Sequence, residues 1–280
     1  MLISITFNST SDFQFVQEQL QKVLDSKKQL IVDQGGLMVS VAIEPYDTKT
    51  CFNISKCLAL CVTTIYENQW MDQLLRSTYF FQDDDEIAEI SAIARSIGEG
   101  DREDVPGAMR FTNREKLVLE AAYACIEQGG TISFDSFIRF RMRPYRSLLN
   151  ALVGEAIDEY KLEQEYQNFV DALRFFLKKR EPIEKRVVLV FDGDYRLYDS
   201  QGRDLPLQME QLSGELPDGL RVDDIDPDIL LPLLILAPEE IYLYTDHSEE
   251  GLAQTIRNVF EERLHFFSHR MSKIHFSGNH

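Results

Sequence analysis

Between Phe134 and Arg146, three phenylalanines (Phe134, Phe137, Phe140) are interleaved with four arginines (Arg139, Arg141, Arg143, Arg146) and Tyr145. Arginine beside exposed aromatic rings is the chemistry of single-stranded nucleic-acid binding, through stacking and phosphate contact. Arginine and tyrosine also anchor protein interfaces, which makes Arg139, Arg143, Tyr145 and Arg146 candidate partner contacts. A structural reading competes with both. The phenylalanines recur at i, i+3 and i+6 and are then expected on one buried helical flank, with the arginines paired to carboxylates elsewhere.

Carboxylates are abundant. The 280-residue chain has 29 Lys and Arg against 47 Asp and Glu, a formal net charge of -18. Such a surface repels phosphate backbones and anionic lipid, which disfavours whole-molecule binding to nucleic acid or membrane. The excess is uneven: residues 1–80 carry 6 basic and 8 acidic groups, residues 81–130 carry 5 and 12, and residues 187–280 carry 7 and 18. Residues 131–186 reverse the sign with 11 and 9, so the aromatic segment sits in a locally basic island.

Other reactive residues point to structure. Cys57 and Cys61 share a helical face, but no CxxC or nearby histidine completes a zinc set. They are expected as small apolar core residues among Leu58, Val62 and Ile65. His265 and His269 have i, i+4 spacing without an accompanying HExxH, and His275 and His280 follow in a tail expected to fray. No metal is expected there. Asp192-Gly-Asp194 reads as a turn and Asp223-Asp-Ile-Asp-Pro-Asp228 as the acidic start of a helix, since neither matches the twelve-residue calcium loop. Nucleotide-binding glycine loops, a GxSxG elbow and kinase motifs are absent, and every histidine lies beyond residue 246. The reading leans to a non-catalytic protein without a cofactor. An enzyme with a site assembled between two α/β units is a further alternative.

Elements that would position these residues follow from periodicity. Leu2–Phe7 reads as a strand, about 12–26 as a helix, and Gln29–Val32 with Leu37–Ile43 as a hairpin around Asp33-Gln-Gly-Gly36. Residues 54–77 read as a helix, giving a β-α-β-β-α unit over 1–80. Asp83-Asp-Asp-Glu86 opens a helix whose acidic first turn suits the helix dipole. Residues 98–111 form a loop, and Thr112-Asn-Arg-Glu115 reads as a capping box. The helix that it starts ends at Gly129-Gly130. A short helix over Phe134–Arg141 stops near Pro144, and some thirty periodic residues beyond form one long helix. After Pro182, Arg186–Phe191 and Tyr195–Asp199 form a hairpin, with room for a third strand after Ser200-Gln-Gly202. Pro227–Leu236 reads as a buried helix, Ile241–Thr245 as a strand and 248–264 as a helix. The fold class is α+β, with two small α/β units (1–80 and 183–280) flanking a central all-helical segment, 81–182.

MLISITF lacks the basic start of a secretory signal, and the most apolar run, Ile229–Ala237, is interrupted by Pro232 and about half a bilayer span. A cytoplasmic protein with reduced cysteines is expected.

The run Phe134-Asp-Ser-Phe-Ile-Arg-Phe-Arg141, then Tyr145, then Glu163-Gln-Glu-Tyr-Gln-Asn-Phe169, resembles the YtxC-like sporulation proteins of endospore-forming bacteria. The likeness is strongest over about 131–178 and extends through Leu197-Tyr198-Asp199 to Thr255–Arg263. The resemblance carries over Phe137, Phe140, Arg141, Tyr145, Glu165, Tyr166 and Phe169 as family positions, structural in the main. It implies a link to sporulation and no particular reaction. A protein partner is therefore the leading expectation, with nucleic-acid binding by the basic segment as the alternative and no membrane association.

Overall fold

The computed structural model describes residues 2–24, 30–44, 47–102, 104–192, 194–205, 225–246 and 251–268. These form two compact units, 1–162 and 163–280. The α+β class holds, with two four-stranded sheets of mixed direction.

In the first unit, β1 (Leu2–Thr6) is followed by α1 (Thr10–Val23), which Ser9 caps by accepting the Asp12 amide. The strands β2 (Leu30–Asp33) and β3 (Met38–Ala42) form the expected hairpin. Asp33 Oδ1 accepts the amides of Gly35 and Gly36, yet the left-handed residue of the turn is Leu37, at φ 43°. A continuous helical run then comprises α2 (Thr48–Cys61), a π-helical turn at Val62–Tyr66 and α3 (Glu67–Ser77). Next comes α4 (Asp84–Glu99), whose N-cap Asp83 accepts from the amides of Asp85 and Glu86.

The capping box before α5 (Arg114–Gln128) does not form. Thr112 donates its hydroxyl to the Met109 carbonyl of a preceding 3-10 turn, which leaves Asn113 as an N-cap without a side-chain bond. Gly129 and Gly130 both take positive φ, a conformation open to glycine at no steric cost, and reverse the chain into β4 (Gly130–Ser133). That strand lies inside the segment expected to be all-helical. It exists because it pairs in parallel with β1, giving the sheet order β2-β3-β1-β4. One face of this sheet buries Ile3, Ile5, Val39 and Val41. On the other, the cross-strand pair Ser4 and Ser40 share a 2.8 Å hydrogen bond.

Short α6 (Phe134–Ser136) leads into a second π-helical turn, Phe137–Arg141. The long helix follows as α7 (Arg143–Lys178), 36 residues. Pro144 lies in its first turn, where a missing amide costs nothing. Within the first unit α7 buries Leu149, Leu152, Val153 and Ala156, and Glu159 receives a hydrogen bond from Arg102 at 2.9 Å.

In the second unit Val170, Leu173, Phe176 and Leu177 of α7 pack in a core with β5 (Arg186–Asp192), α8 (Leu230–Leu236), β7 (Glu240–Tyr244) and α9 (Gly251–Phe260). The β5 hairpin partner is β6 (Asp194–Asp199); the turn residue Gly193 lies outside the described residues. Alternation along β5 sends Val187 and Leu189 to this core and Val188 and Val190 to the opposite face. Beyond β6 the described residues hold a single bridge, Tyr198 to Asp204, rather than a third strand. Asp226 caps the start of α8 by accepting the amides of Ile229 and Leu230. Residues 264–267, of which only the first was expected in an element, as the end of a helix, form β8 (Leu264–Phe267), parallel to β7, giving the order β6-β5-β7-β8. His265 is therefore a strand residue, edge-on to Tyr242 at 5.4 Å, and not a helical one. His247, His269, His275 and His280 lie outside the described residues, as do the tail from 269 onward and most of 205–224.

Asp199 closes the turn after β6. Burial acts to raise its carboxyl pKa, but hydrogen bonds from Arg203 and Gln201 outweigh that and hold it below the ordinary value. A lowered folded-state pKa gives stability that is present above the unfolded-chain value, about 3.9, and lost as pH falls through the folded one. Urea midpoints measured between pH 5 and pH 3 are thus expected to fall less in Asp199→Asn than in the wild type. Parallel curves would remove Asp199 from the acid response.

Candidate functional site

The segment that opened the sequence reading is built over a buried polar network. Glu67, the first residue of α3, is 4 % exposed, and its Oε1 accepts from Arg114 Nε at 3.2 Å and Nη2 at 3.0 Å. Arg114 Nη1 donates to the Gly98 carbonyl at 2.5 Å, while the Tyr145 hydroxyl donates to Glu67 Oε2. Gly98 leaves room for this approach, since a Cβ there would stand 2.7 Å from Arg114 Nη1. Burial pushes the Tyr145 phenol well above its usual pKa, reinforced by the charge and hydrogen bond of Glu67. For Arg114 burial works to lower the pKa, but the bond to Glu67 and its charge raise it overall. The result is a neutral phenol and a fixed ion pair joining α3, α5 and the start of α7.

A second phenol–carboxylate pair links the residue before Glu67 to α1: Tyr66 donates to Asp12 Oδ2 at 2.5 Å, and burial together with Asp12 raises the Tyr66 pKa. Tyr66 ends one π-helical turn, and Tyr145 follows the other by four residues. Such turns are frequent at functional sites, because the wider i→i+5 winding re-aims the side chains that follow.

That winding changes the placement of the phenylalanines. Phe134 and Phe137 are buried at 1 % and 2 % exposure, with rings 6.0 Å apart, and Phe134 also meets Phe7 at 5.2 Å. Phe140 is 56 % exposed, contrary to its expected place on the same flank. A π-helical turn advances each residue by a smaller angle than an α-helix, so a side chain three residues on swings away from the face of Phe137.

Tyr145, expected beside the arginines as a contact residue, is 2 % exposed and turned inward to Glu67. Arg139, Arg141, Arg143 and Arg146 are all exposed. Among the described residues none of the four pairs with a carboxylate, in contrast to the pairing that the structural reading expects. Two of them contact rings instead: Arg143 stands 5.8 Å from the Phe140 centroid and Arg146 5.3 Å from that of Trp70. Arg143 and Arg146, three apart on α7, share a helix face. Phe140 and Arg141 also line a cleft of about 490 Å³ with Phe137, Ser136, the β4 residues Thr131–Ser133 and the end of α5.

The remaining family positions fall in the second unit. Glu165 is exposed; Tyr166 and Phe169 are half-buried against its core, and the Tyr166 hydroxyl accepts from Asn258 at 2.9 Å. Cys57 and Cys61 are buried, and loss of hydration pushes their thiols up to about 11 and about 12, so they stay protonated. No group of histidine, cysteine and carboxylate side chains able to hold a metal occurs among the described residues, and no helix among them is long and apolar enough to cross a membrane. Sequence reading missed Glu67 and Arg114. A lone Glu at a mid-helix position and an Arg inside a capping-box pattern carry no signal of pairing.

Fold and site together define a mixed α+β protein with an exposed arginine face on a buried carboxylate support. The family model described as the YtxC-like family matches residues 52–265, from within α2 to within β8, and the chain belongs to that family. It is 37 % identical over 203 residues to a Bacillus subtilis (strain 168) protein named "Uncharacterized protein YtxC", covering 71 % of this chain and 70 % of that one. No solved structure matches it.

Proposed function

We propose that this chain is a non-catalytic sporulation protein that docks an acidic protein partner through Arg139, Arg143 and Arg146. The observation that carries the reading is four exposed arginines with no carboxylate partner among the described residues of a chain of net charge -18. Exposed guanidinium groups on an otherwise anionic surface steer and select acidic surfaces. Support for a fixed rather than floppy face comes from the Tyr145–Glu67–Arg114 network beneath it. The sporulation part of the proposal draws on the family resemblance.

The test replaces the gene in an endospore-forming host with one encoding alanine at Arg139, Arg143 and Arg146. The variant protein is expected to melt within a few degrees of the wild type, because all three side chains are exposed and the ring contacts of Arg143 and Arg146 are worth only about 0.5–1 kcal/mol each at exposed sites. Spore yield is expected to fall. A stably folded triple variant with normal spore yield would sink the proposal.

The exposed ring of Phe140 between Arg139 and Arg141 favours a second reading, stacking of a single-stranded nucleic acid. It requires affinity that declines steeply with salt. A flat filter-binding curve at low salt dismisses it, and a steep one would displace the protein-partner reading.

A further inference from the structure

We propose that the outer edge of β4 is a strand-addition site, at which an extended acidic segment of the partner pairs with Gly130–Ser133 and drops a side chain into the adjoining cleft. The proposal deepens the docking reading above and rests on it.

Three observations converge on this edge. The sheet order β2-β3-β1-β4 leaves β4 with a strand on one side only among the described residues, and Gly130 and Thr131 are exposed. An edge strand offers unpaired amides and carbonyls to any extended chain, and proteins commonly blunt such edges with proline or charged side chains. Gly-Thr-Ile-Ser has neither. The cleft of about 490 Å³ is lined by Thr131–Ser133 of this strand together with Cys125 and Gln128 of α5 and Phe137, Phe140 and Arg141. In strand addition the backbone bonds supply affinity, and alternate side chains entering a neighbouring pocket supply selectivity. The rings of Phe137 and Phe140 suit an apolar side chain, while Arg141 at the rim suits an acidic residue next to it.

Charge selects the occupant. Arg139, Arg141, Arg143 and Arg146 all lie within a few residues of the cleft, in the one region where the chain is basic. An acidic extended segment is complementary to that region. A second copy through the same edge would bring like guanidinium groups together, and self-association is therefore an outcome against the proposal.

A phage-displayed library of random short peptides panned on the full chain tests this directly. Enriched sequences are expected to alternate Asp or Glu with β-branched residues. Synthetic versions are expected to bind about tenfold or more weakly to Gln128→Trp, where an exposed residue is enlarged into the cleft. The same loss is expected after maleimide modification of Cys125, the one cysteine of four that is not buried. Methylating alternate peptide amides should abolish binding, since it removes the donors that pair with the strand. Absence of any enriched sequence overturns the proposal, as do peptides that bind both blocked forms undiminished, insensitivity to amide methylation, or concentration-dependent dimerisation that Gln128→Trp abolishes. Peptides that ignore the blocked cleft but are lost with alanine at Arg139, Arg143 and Arg146 would overturn strand addition alone. Peptides indifferent to both would remove the docking reading as well.

Discussion

Arg114→Ala is expected to lower stability by about 3–5 kcal/mol, because it strands the Glu67 carboxylate without its countercharge in a largely buried site. Glu67→Ala should cost a similar amount by leaving the guanidinium uncompensated. Tyr145→Phe, which removes one hydrogen bond to a charged acceptor, is expected to cost about 1–3 kcal/mol. Trp70 is the only tryptophan, and its ring lies 6.2 Å from that of Tyr145, so urea unfolding followed by its fluorescence reads this region. Replacing Glu67 and Arg114 together by methionine should recover much of the loss, as expected when an ion pair gives way to apolar packing. Single variants within about 0.5 kcal/mol of the wild type would mean that the pair is solvated and that the arginine face has no rigid support. The pH response has a definite sign. Burial and Glu67 raise the Tyr145 pKa above the unfolded value of about 10. The associated stability is complete below that value and lost as pH rises through the folded pKa, and Tyr145→Phe should lack this share of the alkaline loss.

Phe134→Ala and Phe140→Ala are expected to differ sharply despite their shared place in one aromatic run. Phe134 is 1 % exposed and meets the rings of Phe7, Tyr66 and Phe137, so its truncation leaves a cavity costing about 3–5 kcal/mol. Phe140, at 56 % exposure, should change stability by no more than about 0.5 kcal/mol. If Phe140 serves the docking face, its truncation should instead weaken peptide capture. Equal destabilisation by the two substitutions would contradict the π-helical winding that separates them.

The contrast within this segment marks how far sequence reading reaches. Periodicity and caps located α1, the β2–β3 hairpin, α4, α7, the β5–β6 hairpin, α8 and β7, because each depends on neighbours within a turn or two. The same locality explains the differences. β4 is four residues with a glycine and no alternation of its own, and it becomes a strand only by pairing with β1, more than 120 residues earlier. β8 likewise borrows its strand character from β7. The capping box failed because a neighbouring 3-10 turn offered Thr112 a carbonyl, a competitor that the four-residue pattern does not contain.

By itself, the sequence determined the composition and the local order: an acidic α+β chain with a basic aromatic island and a long helix behind it, in a run similar to the YtxC-like family. Which island residues face outward was decided by tertiary structure. Glu67 and Arg114 are 47 positions apart, and Glu67 and Tyr145 are 78 apart. Nothing local couples such residues until packing removes the water that would otherwise solvate each of them separately. That packing draws Tyr145 inward, the π-helical turn releases Phe140 outward, and the arginines are left on the surface without a carboxylate partner among the described residues.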